Sequence, residues 1–94
     1  MFNSESIHEA SAAIDAAIEA EYPAESDSRK ALLSWRQAVG VFAACAPAMT
    51  RVKRSERALS LHAGLRCLAG DLRGGLTKQA IAGAARAVWR AVKP

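Results

Sequence analysis

Ninety-four residues carrying 22 alanines and a formal charge of +4 suit one domain and are too few for a large catalytic scaffold such as a TIM barrel of about 250 residues. Alanine supplies almost half of the 51% hydrophobic fraction, and Leu, Ile, Val and Phe number only 19, so the core is small and a second copy or a partner would add burial. The charge is divided: residues 1–28 hold seven acids and no Lys or Arg, whereas residues 29–94 hold all 13 basic residues against Glu56 and Asp71.

No stretch alternates with the period of a strand. Helical spacing recurs four times. The first segment opens on Ser6-Ile7-His8-Glu9, which has the form of a capping box. Ile7, Ala10, Ile14, Ala17 and Ile18 follow as a narrow apolar stripe, and Pro23 stops the helix at or before Tyr22. This helix has little to bury and is expected to dock loosely, as an acidic arm that packs beside the basic helices or shields them.

The second segment opens at Asp27 or Ser28. Leu32, Trp35, Val39, Phe42 and Ala46 recur at 3-4-3-4 spacing, widened by Leu33, Val41 and Cys45. It is the most apolar segment and is expected to be central. Pro47 ends it. Gly40 in its interior costs about 1 kcal/mol relative to alanine, which suggests a close backbone approach there.

The third segment is capped by Ser55, with Ala58, Leu61, Leu65, Leu68 and Leu72 on one face and Gly74-Gly75 at its end. His62, Arg66 and Arg73 mark a polar face, and Arg51, Lys53, Arg54 and Arg57 cluster at the start. The fourth segment begins at Thr77, with Leu76 and Ile81 placed as a hydrophobic staple. Ile81, Ala85, Val88 and Val92 form its apolar stripe. Lys78, Arg86, Arg90 and Lys93 lie on a different face with Trp89 beside them, and Gly83, Ala87 and Ala91 make a small-residue stripe that would admit a close helix. The expected architecture is all-α: one compact domain (1–94) of about four helices, an acidic first helix (1–28) with a basic body (29–94), compatible with a dimer.

Enzyme chemistry finds little support. His8, Cys45, His62 and Cys67 lack the paired short spacing of a zinc site. Cys45 and Cys67 sit among alanines and leucines, where a free cysteine packs as a small buried hydrophobe. No nucleophile elbow, Walker loop or dinucleotide fingerprint occurs. No metal, cofactor or small-molecule substrate is indicated, and no catalytic residue is assigned. The amino-terminal residues lack the form of a secretory signal, and the longest uncharged run, 14 residues between Arg36 and Arg51, is too short to span a membrane. These features point to a cytoplasmic protein, and the Ala, Arg and Gly bias fits a GC-rich bacterial genome.

The basic residues are better material, because clustered Lys and Arg attract phosphate backbones and an adjacent tryptophan can stack on a base. The candidate binding residues are Arg51, Lys53, Arg54, Arg57, Lys78, Arg86, Trp89, Arg90 and Lys93. From Leu65 to Val92 the chain resembles a bacterial helix-turn-helix: a helix, a Gly-containing turn and the helix start Leu76-Thr77-Lys78-Gln79-Ala80-Ile81-Ala82. Arg86 to Val92 resembles the body of a recognition helix, and the resemblance implies Arg86 and Arg90 as DNA contacts. It departs from the family at Gly83-Ala84-Ala85, which run straight on where a second turn belongs. The leading expectation is a small bacterial regulatory protein that contacts nucleic acid through its basic half. A protein-binding antagonist or accessory factor of the phage or mobile-element type, and a helical structural subunit, are the alternatives.

Overall fold

In the computed structural model, which describes residues 2–21, 26–72 and 75–93, four helices form: α1 (Ser4–Ala20), α2 (Asp27–Cys45), α3 (Arg51–Asp71) and α4 (Leu76–Val92). A single 3-10 turn, Ala46–Ala48, contains Pro47 and closes α2. There is no strand among the described residues. The all-α reading holds. Pro23, Arg73 and Gly74 lie outside the described residues.

Three helices start earlier than expected, and in α1 and α3 the reason is that a different side chain satisfies the first free amides. Asn3 Oδ1 accepts from the Glu5 and Ser6 amides at 3.0 and 3.4 Å, so Asn3 replaces the Ser6 capping box. Thr50 Oγ1 accepts from the Lys53 amide at 3.2 Å, which puts Ser55 inside α3 rather than at its cap. Gly75 takes φ +81° ahead of α4, a left-handed backbone that favours glycine. Thr77 is therefore within the helix, and no staple forms, since Leu76 is 80% exposed. α2 opens at Asp27, as expected, with Ser26 as its cap: Ser26 Oγ accepts from the Arg29 amide at 3.1 Å.

The helices run antiparallel in sequence, and α4 packs between α1 and α3. Its stripe of Ile81, Ala84, Ala85, Ala87, Val88 and Ala91 is buried. Alanines on a helix face let a neighbour's backbone come close, so α4, rather than α2, is the central helix. α1 is not loosely docked. Ile7, Ala10, Ile14, Ala17 and Ile18 are all buried, chiefly against α4, and the Asn3 amide donates to the Ala91 carbonyl at 2.7 Å. Two ion pairs cross from the acidic helix to the basic body: Asp15–Arg36 at 2.8 Å and Glu9–Arg90 at 3.2 Å.

α2 lies at the side of the bundle. It packs mainly on α1 and least on α3, which leaves Leu33, Val41 and Cys45 exposed and limits its buried face to Leu32, Val39 and Phe42. Cys67 is also exposed, so neither cysteine is the buried hydrophobe expected. The close approach expected at Gly40 occurs instead at Gly64. A Cβ on Gly64 would fall 2.0 Å from the Trp35 ring, whereas one on Gly40 would meet only the Arg36 side chain of its own helix. Phe2 closes the end where α2, α3 and α4 converge. Its ring meets Phe42 edge-on at 6.0 Å, and the Arg54 guanidinium lies 5.4 Å above it. No helix among the described residues is long and apolar enough to cross a membrane.

Candidate nucleic-acid interface

The α3/α4 hairpin presents a seam along which cationic side chains align. At about 100° per residue, Arg51, His62 and Arg66 fall within about 60° of one another on α3. On α4, Lys78, Arg86, Trp89 and Lys93 fall within about 80°. Both faces flank the buried stripes, Ala58–Leu65–Ala69 on α3 and Ile81–Ala85–Val88 on α4. The two acids of α3, Glu56 and Asp71, point elsewhere: each is more than about 70° from the seam residues of its helix.

His62 fixes the middle of the seam. Its Nδ1 lies 2.7 Å from the Ala85 carbonyl oxygen. A carbonyl can only accept, so Nδ1 carries the proton and donates, leaving Nε2 as the ring's remaining polar atom. The imidazole lies 5.9 Å from the Trp89 ring at a tilt of 39°. Beside it a hollow of about 340 Å³ is lined by His62, Arg66, Ala69, Ala82 and Arg86. Two guanidinium groups from antiparallel helices thus face one concavity floored by alanines. Arg86 lies back along α4 past Gly83, where an added Cβ would make only ordinary contact with Nη2, at 3.8 Å.

The nine expected binding residues divide into three groups. Arg51, Lys78, Arg86, Trp89 and Lys93 border the seam, and α4 is one uninterrupted helix through Gly83-Ala84-Ala85. Lys53 and Arg57 lie on the opposite side of α3, around a hollow with Met49, Glu56 and Ser60. Arg54 and Arg90 are engaged by other groups of the chain, Arg90 at the surface. Arg54 Nη2 donates to the Met49 carbonyl at 3.1 Å while its guanidinium lies over the Phe2 ring, and Arg90 donates to Glu9. Arg66 and His62 belong to the seam and were absent from the expected binding set. Their four-residue spacing on the polar flank of α3 was the available signal, but only the α3/α4 register shows that Arg66 meets Arg86.

Among the described residues no three of His, Cys, Asp and Glu gather as a metal site. Comparison of the chain with known protein families, curated proteins and solved structures finds no match.

Proposed function

We propose that the protein is a non-enzymatic regulatory factor that binds the phosphate backbone of nucleic acid along the α3/α4 seam. The observation that carries this reading is the alignment of Arg51, Arg66, Lys78, Arg86 and Lys93 on one surface, none in an ion pair among the described residues. From Lys78 to Lys93 the seam runs about 22 Å along α4, or about six base steps of a duplex at 3.4 Å each. Trp89 offers a ring for stacking beside the cations. The helix-turn-helix likeness of 65–92 supports the same region, with Arg86 as the shared contact. Because α4 continues without a second turn, the seam reads as a backbone-binding surface rather than a recognition helix set into a groove.

Binding of the full chain to a fluorescent 20-base-pair duplex, followed across a salt series, tests this reading. Five phosphate contacts predict a log–log salt slope near about −4.5, and Arg66→Ala with Arg86→Ala should make it shallower by about 2. Lys53→Ala with Arg57→Ala, on the opposite side of α3, should leave the slope in place. Absence of binding at 50 mM salt, or a slope that responds to Lys53 and Arg57 instead of the seam pair, overturns the proposal.

A further inference from the structure

We infer that the cleft between α2 and α3 is a docking groove for an amphipathic helix of a partner protein that carries carboxylates at one end. Three sides of the bundle are closed by helix packing, and the α2/α3 side is the open one. At one end Trp35 rests on Gly64 and holds the two helices together. Beyond that contact they leave a cavity of about 370 Å³ floored by Ala38, Val41, Phe42, Cys45, Met49 and Leu61. Val41 is 58% exposed, and the Cys45 thiol is exposed as well. From Ser34 to Cys45 the groove runs about 16 Å. That length accommodates the i, i+3/i+4, i+7 anchors of a helix laid apolar face inward. Met49, with its unbranched thioether, can adapt to the shape of such an occupant.

Charge names the occupant. Arg57 lines the apolar groove, and Met49 and Arg57 also line the adjoining hollow with Lys53 and one acid, Glu56, so the cations prevail there two to one. Lys53 and Arg57 are exposed and in no ion pair among the described residues. An apolar floor ending on two cations and a single acid keeps a net positive end, which fits a helix with apolar anchors and a carboxylate end. A second copy of this chain does not offer one. Its acid-rich helix is α1, and the isoleucines of α1 are already buried in its own core. The exposed large apolar residues sit on α2, α3 and at the start of α4.

The test uses the full chain and a fluorescein-labelled, helix-stabilised 14-residue peptide with Leu at i, i+3, i+7 and three Glu at one end. The control peptide has Lys in place of Glu. Anisotropy should show saturable binding of the Glu peptide, at least tenfold weaker for the Lys peptide and for the Val41→Asp protein. Lys53→Glu with Arg57→Glu should reverse the preference between the peptides. All three substitutions fall on exposed positions, and Cys45→Asp reads the same groove if Val41→Asp lowers the melting temperature. Peptide binding that survives Val41→Asp and Cys45→Asp, or that ignores the sign of the peptide's charge, overturns the inference. So does a dimer in light scattering that Val41→Asp converts to monomer, since the occupant would then be a second copy. The 20-base-pair duplex should leave the peptide bound; its displacement at equal stoichiometry would mean that the groove and the nucleic-acid seam are one surface.

Discussion

Trp35 packs on Gly64 with no room for a Cβ, whereas Gly70 has open space, so two glycines of one helix carry opposite predictions. A methyl group on Gly64 would lie 2.0 Å from Cη2, 2.6 Å from Cζ2 and 2.8 Å from Cζ3 of the indole. The ring is rigid, so it must move as a unit. Overpacking of this kind costs about 1–3 kcal/mol, against a gain of about 1 kcal/mol from replacing a helical glycine. Gly64→Ala should therefore destabilise in urea unfolding, and the sign should reverse in a Trp35→Ala background. Gly70, with nothing within 4 Å of its would-be Cβ, should gain up to about 1 kcal/mol as alanine. The caps offer a second residue-scale contrast. Thr50→Ala removes the acceptor for the Lys53 amide and should cost about 1 kcal/mol. Ser55→Ala, inside α3, should cost distinctly less in the same melts. Equal losses would return the start of the helix to Ser55.

At the scale of the elements, the apolar stripes were legible and the ends were not. Leu32, Val39 and Phe42 on α2, Leu61 and Leu65 on α3, and Ile81 and Val88 on α4 all face the core as their spacing implies. The starts slipped because Asn3 and Ser6, or Thr50 and Ser55, are equally able to cap. Which one does so depends on where tertiary packing leaves free amides. The rank of the helices slipped for a related reason. Pattern reading weighs large apolar residues, which favour α2, whereas alanine determines how closely α4 can approach both neighbours. Arg51 and Arg86 could be identified from charge alone. That Arg86 and Arg66 line one hollow, and that Arg90 is taken up by Glu9 at the surface, depend on the register between helices. One charge pattern carries its own prediction. The first turn of α3 holds Arg51, Lys53 and Arg54 and no acid, so cations face the positive end of the helix dipole. Lys53→Glu should raise stability by about 0.3–1 kcal/mol, read as a higher urea midpoint with unchanged m. The same change should weaken docking of a carboxylate-bearing helix, a loss of function that accompanies a gain in stability.

For the whole molecule, the division of charge along the sequence becomes a layer in space. The acidic first helix is packed into the bundle, and two of its carboxylates meet Arg36 and Arg90. Those pairs are exposed or nearly so and contribute little, about 0–1 kcal/mol each. The larger tie is apolar. Ile7 and Ile14 are essentially inaccessible to solvent and Ile18 nearly so, and full burial of such a side chain is worth about 1.5–3 kcal/mol. Releasing α1 would also uncover Ala84, Ala87 and Ala91 of the central helix. With total stabilities of small domains near about 5–10 kcal/mol, α1 cannot swing aside and leave the rest intact. A chain beginning at Ser26 should lose the cooperative thermal transition of the full protein and most of its helical circular dichroism, even at low temperature. High salt should have a far smaller effect on the intact chain, shifting its melting temperature by no more than a few degrees, because the ion pairs among the described residues are exposed and each contributes little. A truncated chain that melts cooperatively near the original temperature would make α1 a detachable acidic arm, and the seam cations would then owe their availability to its position rather than to the fold of α3 and α4.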